Sequence, residues 1–232
     1  ILQKAEAMVA IEAEAEKQHA RLYTADVSKV TVETETLKEI RFDHPGLGTV
    51  TTRLTGTYQV ENCCLAVTVL KEILGIADRI IIDGIKNTVW PGRFEIIGEQ
   101  PLFIIDGAHN EDAALQLSAS VEKYFTNRRV IYIIGVLKDK EYEKMVEILA
   151  PTMAAAVVIT PDTPRGLPKE ILAPLIQAQG VPVQLADTSA EALQKAREQA
   201  GETGVILVSG SLSFLAEYLQ LESGDENNGA SR

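Results

Sequence analysis

Arg93, Asp106 and His109 fall within one short stretch, Trp90 to Asn110. It reads Trp-Pro-Gly-Arg-Phe-Glu, a short polar gap, then Pro-Leu-Phe-Ile-Ile-Asp-Gly-Ala-His-Asn. A guanidinium is a permanent cation whose planar fork suits phosphate or carboxylate oxygens. A carboxylate, an imidazole and an amide gathered in one turn beside it would make a binding place for an anionic small molecule. Asp, Gly and Asn are also ordinary turn residues, and a lone His is more often a surface residue than a catalytic one. The turn by itself does not decide between these readings; Arg93, set just ahead of it by a Pro-Gly pair, favours a site.

The elements that would position these side chains follow from the flanking pattern. Leu102 to Ile105 is a compact apolar run between Pro101 and Asp106-Gly107, as in a strand buried on both faces. Asn110 is a natural N-cap, with Glu111 and Asp112 in the first turn of the helix that follows. Asp106, His109 and Asn110 then cluster at the carboxyl end of a strand, where open α/β sheets bind ligands.

Downstream the alternation is regular. Apolar runs at 102–105, 130–134, 154–159, 181–185 and 205–208 alternate with helical patterns at about 111–125, 141–149, 168–179, 190–200 and 212–219. Thr188 with Glu191 forms a capping box, Pro168 stands at a first helical position, and Pro174 is set to kink its helix. This is an α/β fold with a mostly parallel, doubly wound, Rossmann-like sheet. Its carboxyl rim also gathers Lys138, Lys140, Arg165 and serines of Ser-Gly-Ser-Leu at 209–212, which suits an anionic ligand. Lysines that merely solvate a loop, and Ser211 as a helix N-cap, are equally simple explanations of those residues.

Upstream the pattern differs. Residues 1–20 read as an exposed helix, and alternation around Val30, Ile40, Phe42, Val50 and Thr52 reads as a small antiparallel unit with one wet face. Residues 57–74 return to helical spacing, with Tyr58, Leu65, Ala66, Val69, Leu70 and Ile73 on the face to be buried and Gly75 at the end. Asn62 is expected on or beside that face. Ile80 to Ile85 fits a short strand or a short helix. The expected division is 1–89, 90–221 and a disordered tail at 222–232.

The 232 residues are 46% hydrophobic and 24% charged, normal for a globular chain with a sizeable core. A net charge of −11 argues against a nucleic-acid or anionic-membrane surface. No apolar run approaches the ~20 residues of a membrane span. Cys63 and Cys64 are adjacent on a helical pattern, where neighbours diverge, so a reducing, cytoplasmic setting is expected. The first residue is not Met and opens inside a helical pattern, as in a piece of something longer. There is no Gly-x-x-x-x-Gly-Lys-Ser/Thr, no Gly-x-Gly-x-x-Gly opening a βα unit, no Gly-x-Ser-x-Gly and no His/Cys spacing of a metal site.

Four motifs in order, Trp-Pro-Gly-Arg-Phe-Glu (90–95), Ile-Asp-Gly-Ala-His-Asn (105–110), Gly-Val-Leu-Lys-Asp-Lys-Glu-Tyr (135–142) and Ser-Gly-Ser-Leu (209–212), resemble the folylpolyglutamate synthase/dihydrofolate synthase family of the Mur-ligase superfamily. The resemblance covers about 54–221. It implies an ATP-dependent ligase that phosphorylates a substrate carboxylate and lets the amine of L-glutamate attack the acyl phosphate. It further implies that Asn62, Arg93 and Asp106 bind ATP, with Asp106 facing Arg93 across the nucleotide. His109 and Ser211 would lie near the incoming glutamate, and Arg93 and His109 would be catalytic. The co-substrate would be a reduced folate or dihydropteroate and the enzyme a monomer. By the same resemblance the phosphate loop, the Mg²⁺ ligands and a modified lysine precede Ile1, so the fragment is expected to be inactive alone. The family's His-Gln pair is replaced here by Tyr58-Gln59, and no role is carried onto Tyr58. Two other readings stay open: a Mur-type ligase acting on a peptidoglycan precursor, and a non-catalytic α/β binding module.

Overall fold

The computed structural model describes residues 5–210 and 215–222. The chain divides into two compact units, Ile1–Val89 and Trp90–Arg232.

In the first unit, helix α1 (Ala5–Lys17) precedes an antiparallel sheet of β1 (Thr31–Glu35), β2 (Ile40–His44) and β3 (Gly48–Thr52). Strict alternation makes one face of this sheet dry: Phe42 pairs with Val50 and Ile40 with Thr52, all four buried, while Arg41 and Asp43 face out. Helix α2 (Gln59–Val67) lays Val60, Cys63, Cys64 and Val67 into the same core. That corrects the expected face, because Val69 and Ile73 are 39% and 50% exposed. This stretch is apolar on two sides, so periodicity alone could not choose the side that meets the sheet. The helix also changes pitch: Thr68–Ile73 is π-helical, and the Thr68 hydroxyl bonds the Cys64 carbonyl at the switch. Ile80 to Ile85 belongs to helix α3 (Asp78–Asn87), which buries Ile81 and Ile85 one turn apart.

The second unit holds a six-stranded sheet. Its strands are β4 (Glu95–Glu99), β5 (Leu102–Asp106), β6 (Val130–Ile134), β7 (Ala155–Ile159), β8 (Val183–Ala186) and β9 (Val205–Ser209), in spatial order β4-β5-β9-β6-β7-β8. All pairings are parallel except β4 with β5. Strand β4 lies in the segment read from sequence as a polar gap; it is a short edge strand with a register shift between Ile96 and Gly98, which blurs its alternation.

The helices are α4 (Glu111–Phe125), α5 (Tyr142–Leu149), α6 (Lys169–Ala178), α7 (Ser189–Ala200) and α8 (215–222). The chain steps one way across the sheet from β5 to β8, then returns three places to β9. Right-handed crossovers therefore set α4, α5 and α6 on one face and α7 on the other. The α7 face buries Phe103, Ile105, Ile131, Ile133, Val157, Ile206 and Val208 against Leu193, Leu215 and Tyr218. Since β9 lies between β5 and β6 and is followed by a helix on the opposite face, the β5–β9–β6 carboxyl tips form a topological switch point.

Punctuation follows local chemistry. Pro168 stands one residue before α6 rather than at its first position, and Pro174 lies inside that helix. Thr188 caps α7, but Glu191 returns its bond to the Asp187 amide. Glu222, assigned from sequence to the tail, ends α8 and accepts from Arg197 at 2.6 Å; residues 223–232 lie outside the described residues.

Candidate active site

Asp106 ends β5, its side chain 3% exposed, and both of its carboxylate oxygens accept backbone amides. Oδ1 takes the Ala108 N–H and Oδ2 the Phe94 N–H, each at 2.9 Å. The first bond shapes the turn after the strand; the second reaches back to the Arg93 turn. That turn is also tied by the Gly92 carbonyl, which accepts from Gly107 at 2.8 Å, and by the Gly92 N–H, which donates to Glu95 at 2.7 Å. Its backbone is unusual: Gly92 has φ 75° and Phe94, a non-glycine, φ 47°. A left-handed non-glycine costs about 1–3 kcal/mol and persists only where its surroundings impose it. Here the Asp106 bond and burial of the Phe94 ring, 5.6 Å from Tyr124 and 6.3 Å from Phe125, impose it. Arg93 is half-buried, and its guanidinium has no ion pair or hydrogen bond among the described residues.

His109 stands two residues past the tip, half-buried, its Nδ1 2.7 Å from the Gly107 carbonyl. A carbonyl can only accept, so Nδ1 carries a proton and Nε2 is the ring nitrogen not engaged by Gly107. Asn110 caps α4, its Oδ1 accepting from Ala113 at 2.9 Å, as its sequence position implied. The β5 tip thus carries a guanidinium on the turn bonded to Asp106 and an imidazole on the turn that follows the strand.

The basic rim is weaker than its composition implied. The Arg165 guanidinium grips Asp139 with two bonds, 2.6 and 3.2 Å, and holds that carboxyl below the usual carboxylate range. Lys138 donates to the Pro164 carbonyl at 3.3 Å. With the Lys138 amide on the Arg165 carbonyl and the Leu167 amide on that of Val136, these cations tie two rim loops together. At the β9 tip, Ser209 is fully buried and its hydroxyl has no hydrogen-bond partner among the described residues. Gly210, with φ 116°, backs onto Gly135 so closely that a Cβ would stand 2.5 Å from the Gly135 carbonyl oxygen. Ser211 lies outside the described residues.

A family model described as "Mur ligase, glutamate ligase domain" matches residues 92–212. The chain belongs to the Mur ligase family. The matched span of this Mur ligase chain runs from Gly92, at the Arg93 turn, past the β9 tip. A Haloferax volcanii protein described as a probable bifunctional folylpolyglutamate synthase/dihydropteroate synthase is 35% identical over 167 residues, 71% of this chain and 20% of that one. The dihydrofolate synthase/folylpolyglutamate synthase of Bacillus subtilis is 27% identical over 174 residues, 72% of this chain and 40% of its own length. Among solved structures, Escherichia coli FolC in complex with DHPP and ADP superposes with a TM-score of 0.78 at 25% identity, over 94% of this chain and 51% of that one. The Mur ligase chain therefore spans between a fifth and about half of the length of these relatives.

Arg93 and Asp106 both lie in the second unit of this Mur ligase scaffold, and Asp106 is bonded to the residue next to Arg93. The antiparallel β4–β5 pairing, invisible in the pattern, folds the Arg93 turn back onto the strand tip. Asn62 is exposed rather than set at the buried face, and it donates to the buried Gln59 at 3.1 Å. Glu95 belongs to the site as well, and the sequence signal for it is its place three residues after Gly92, whose φ is 75°. Among the described residues no group of three His, Cys, Asp or Glu could hold a metal ion, and no helix is long and apolar enough to cross a membrane.

Proposed function

We propose that this chain is the C-terminal half of an ATP-dependent ligase that joins L-glutamate to a folate through an acyl phosphate, as a folylpolyglutamate synthase, a dihydrofolate synthase or both. The observation that carries the reading is Arg93: a half-buried residue on a turn fixed to the carboxyl tip of β5, its guanidinium unpaired among the described residues. Leaving such a cation unpaired is reasonable where an anion is to come, and phosphoryl transfer depends mainly on positioning and charge neutralisation.

In this reading Arg93 binds the phosphates of ATP, and Asn62 and Asp106 belong to the nucleotide side of the site. His109 and Ser211 serve the incoming glutamate. With Nδ1 committed to Gly107, the Nε2 of His109 accepts a proton or hydrogen bond from the attacking amine. The co-substrate is a reduced folate or dihydropteroate. Mg²⁺ would neutralise phosphate charge, with ligands from outside this chain, as would the loop that cradles the phosphates. The protein works as a cytoplasmic monomer. The relatives named folylpolyglutamate and dihydrofolate synthases, and the ADP-bound Escherichia coli structure, support this reading.

The test is to assay the complete protein with ATP and L-glutamate, plus dihydropteroate in one arm and tetrahydrofolate in the other. ADP release that requires both glutamate and a pterin is expected. Amino-acid addition to a UDP-linked peptidoglycan precursor, with neither pterin accepted, would move the protein to the other branch of the family.

A further inference from the structure

Two carboxylates bracket Arg93, yet neither pairs with its guanidinium. Glu95 is two residues from Arg93, and Asp106 is bonded to the residue that follows it. Instead Glu95 Oε2 accepts the Gly92 N–H at 2.7 Å, and Asp106 Oδ2 accepts the Phe94 N–H at 2.9 Å. The amides on either side of Arg93 are thus each held by a carboxylate, and the guanidinium has no partner among the described residues. The bond to Asp106 helps hold Phe94 in its left-handed backbone, φ 47°.

We infer that Glu95 and Asp106 are positioning residues that act on the reaction through Arg93. They fix the turn's backbone and so hold a cation free for a phosphate, in place of neutralising it. A carboxylate accepting a backbone N–H is a strong, charge-assisted bond, and an arginine whose backbone cannot shift loses little freedom when an anion arrives. Glu95 matters as an acceptor oxygen, so an amide oxygen at the same position does the same work. Asp106 additionally sets the Ala108 turn that leads to His109, placing the cation and the imidazole in one frame. The catalytic part of this inference rests on the ligase reading; the clamp itself does not.

The experiment has two arms. In the 1–232 chain, amide NMR of Glu95→Ala, Glu95→Gln and Asp106→Ala reads the clamp directly. The Gly92 amide proton is expected to move upfield in Glu95→Ala and to stay in Glu95→Gln; the Phe94 amide is expected to move in Asp106→Ala. A Gly92 amide indifferent to Glu95→Ala would overturn the clamp whatever the protein catalyses. In the complete ligase, Glu95→Ala is expected to lower kcat by about 10²-fold, the scale of a misplaced catalytic group. Glu95→Gln should restore it, and Glu95→Ala should add nothing to Arg93→Ala. Loss in Glu95→Gln as deep as in Glu95→Ala, or losses that add to that of Arg93→Ala, would overturn the positioning role. A complete wild-type protein that ligates no glutamate would remove the ligase reading and leave the amide result to judge the clamp.

Discussion

The Phe94 amide donates to Asp106 Oδ2 at 2.9 Å, and this bond joins the turn that carries Arg93 to the tip of β5 that leads to His109. It converts two short motifs into one rigid constellation. Because the bond is buried and its acceptor is a carboxylate, losing it leaves an unsatisfied group and not merely a missing contact.

Arg93→Ala separates chemistry from folding. The guanidinium has no described partner, so its removal is expected to change unfolding free energy by no more than about 0.5 kcal/mol. Turnover of the complete ligase is expected to fall about 10²–10³-fold, as for loss of one group that stabilises developing charge. Thermal unfolding and steady-state kinetics on the same preparation check this; equal loss in both would make Arg93 structural.

His109 gives two readouts. Nitrogen-15 shifts of its ring in the 1–232 chain are expected to show the Nδ1–H tautomer, because the Gly107 carbonyl demands a donor. In the complete ligase, His109→Ala is expected to raise KM for glutamate more than KM for ATP. The opposite order would assign His109 to the nucleotide.

Ser209→Ala is expected to leave stability unchanged or to raise it. The hydroxyl is buried without a partner among the described residues, and such a group carries a desolvation cost of about 1–3 kcal/mol that alanine avoids. A clear drop in melting temperature would show that the hydroxyl is satisfied in solution.

Cys63 supplies a pH dependence. Burial pushes its thiol up from 9.0 to about 11, so the folded chain keeps a proton that the unfolded chain releases. Stability from this group is complete below pH 9 and declines as pH rises from about 9 to about 11. Melting temperatures across that range should fall less steeply in Cys63→Ala than in the wild type.

Much of this molecule was legible before any coordinates. Apolar runs of five or so residues between helical patterns marked β5, β6, β7 and β9, because a strand buried on both faces has no alternative to a continuous hydrophobic run. Strand β8, at the edge and half-exposed, gave the weaker run at 181–185. Asn110 and Thr188 announced their helices through capping chemistry that is local by nature. The motif residues also nominated Arg93, Asp106 and His109 by type and place.

What only the tertiary structure decided was which groups answer one another. Asp106 meets the Phe94 amide because β4, an edge strand with an irregular register, turns antiparallel against β5; no periodicity carries that pairing. Helix α2 has two apolar sides, and only the presence of the Ile40–Phe42–Val50 surface selected the Cys63 side and left Asn62 exposed. The rim cations of 138–165 were countable in the sequence, but their use in tying loops together depends on Asp139 and the Pro164 carbonyl lying across from them. Local propensity acts over a few residues, whereas partners distant along the chain are chosen by packing and hydrogen-bond satisfaction of the whole unit. The guanidinium of Arg93, unpaired among the described residues, is a result of the second kind.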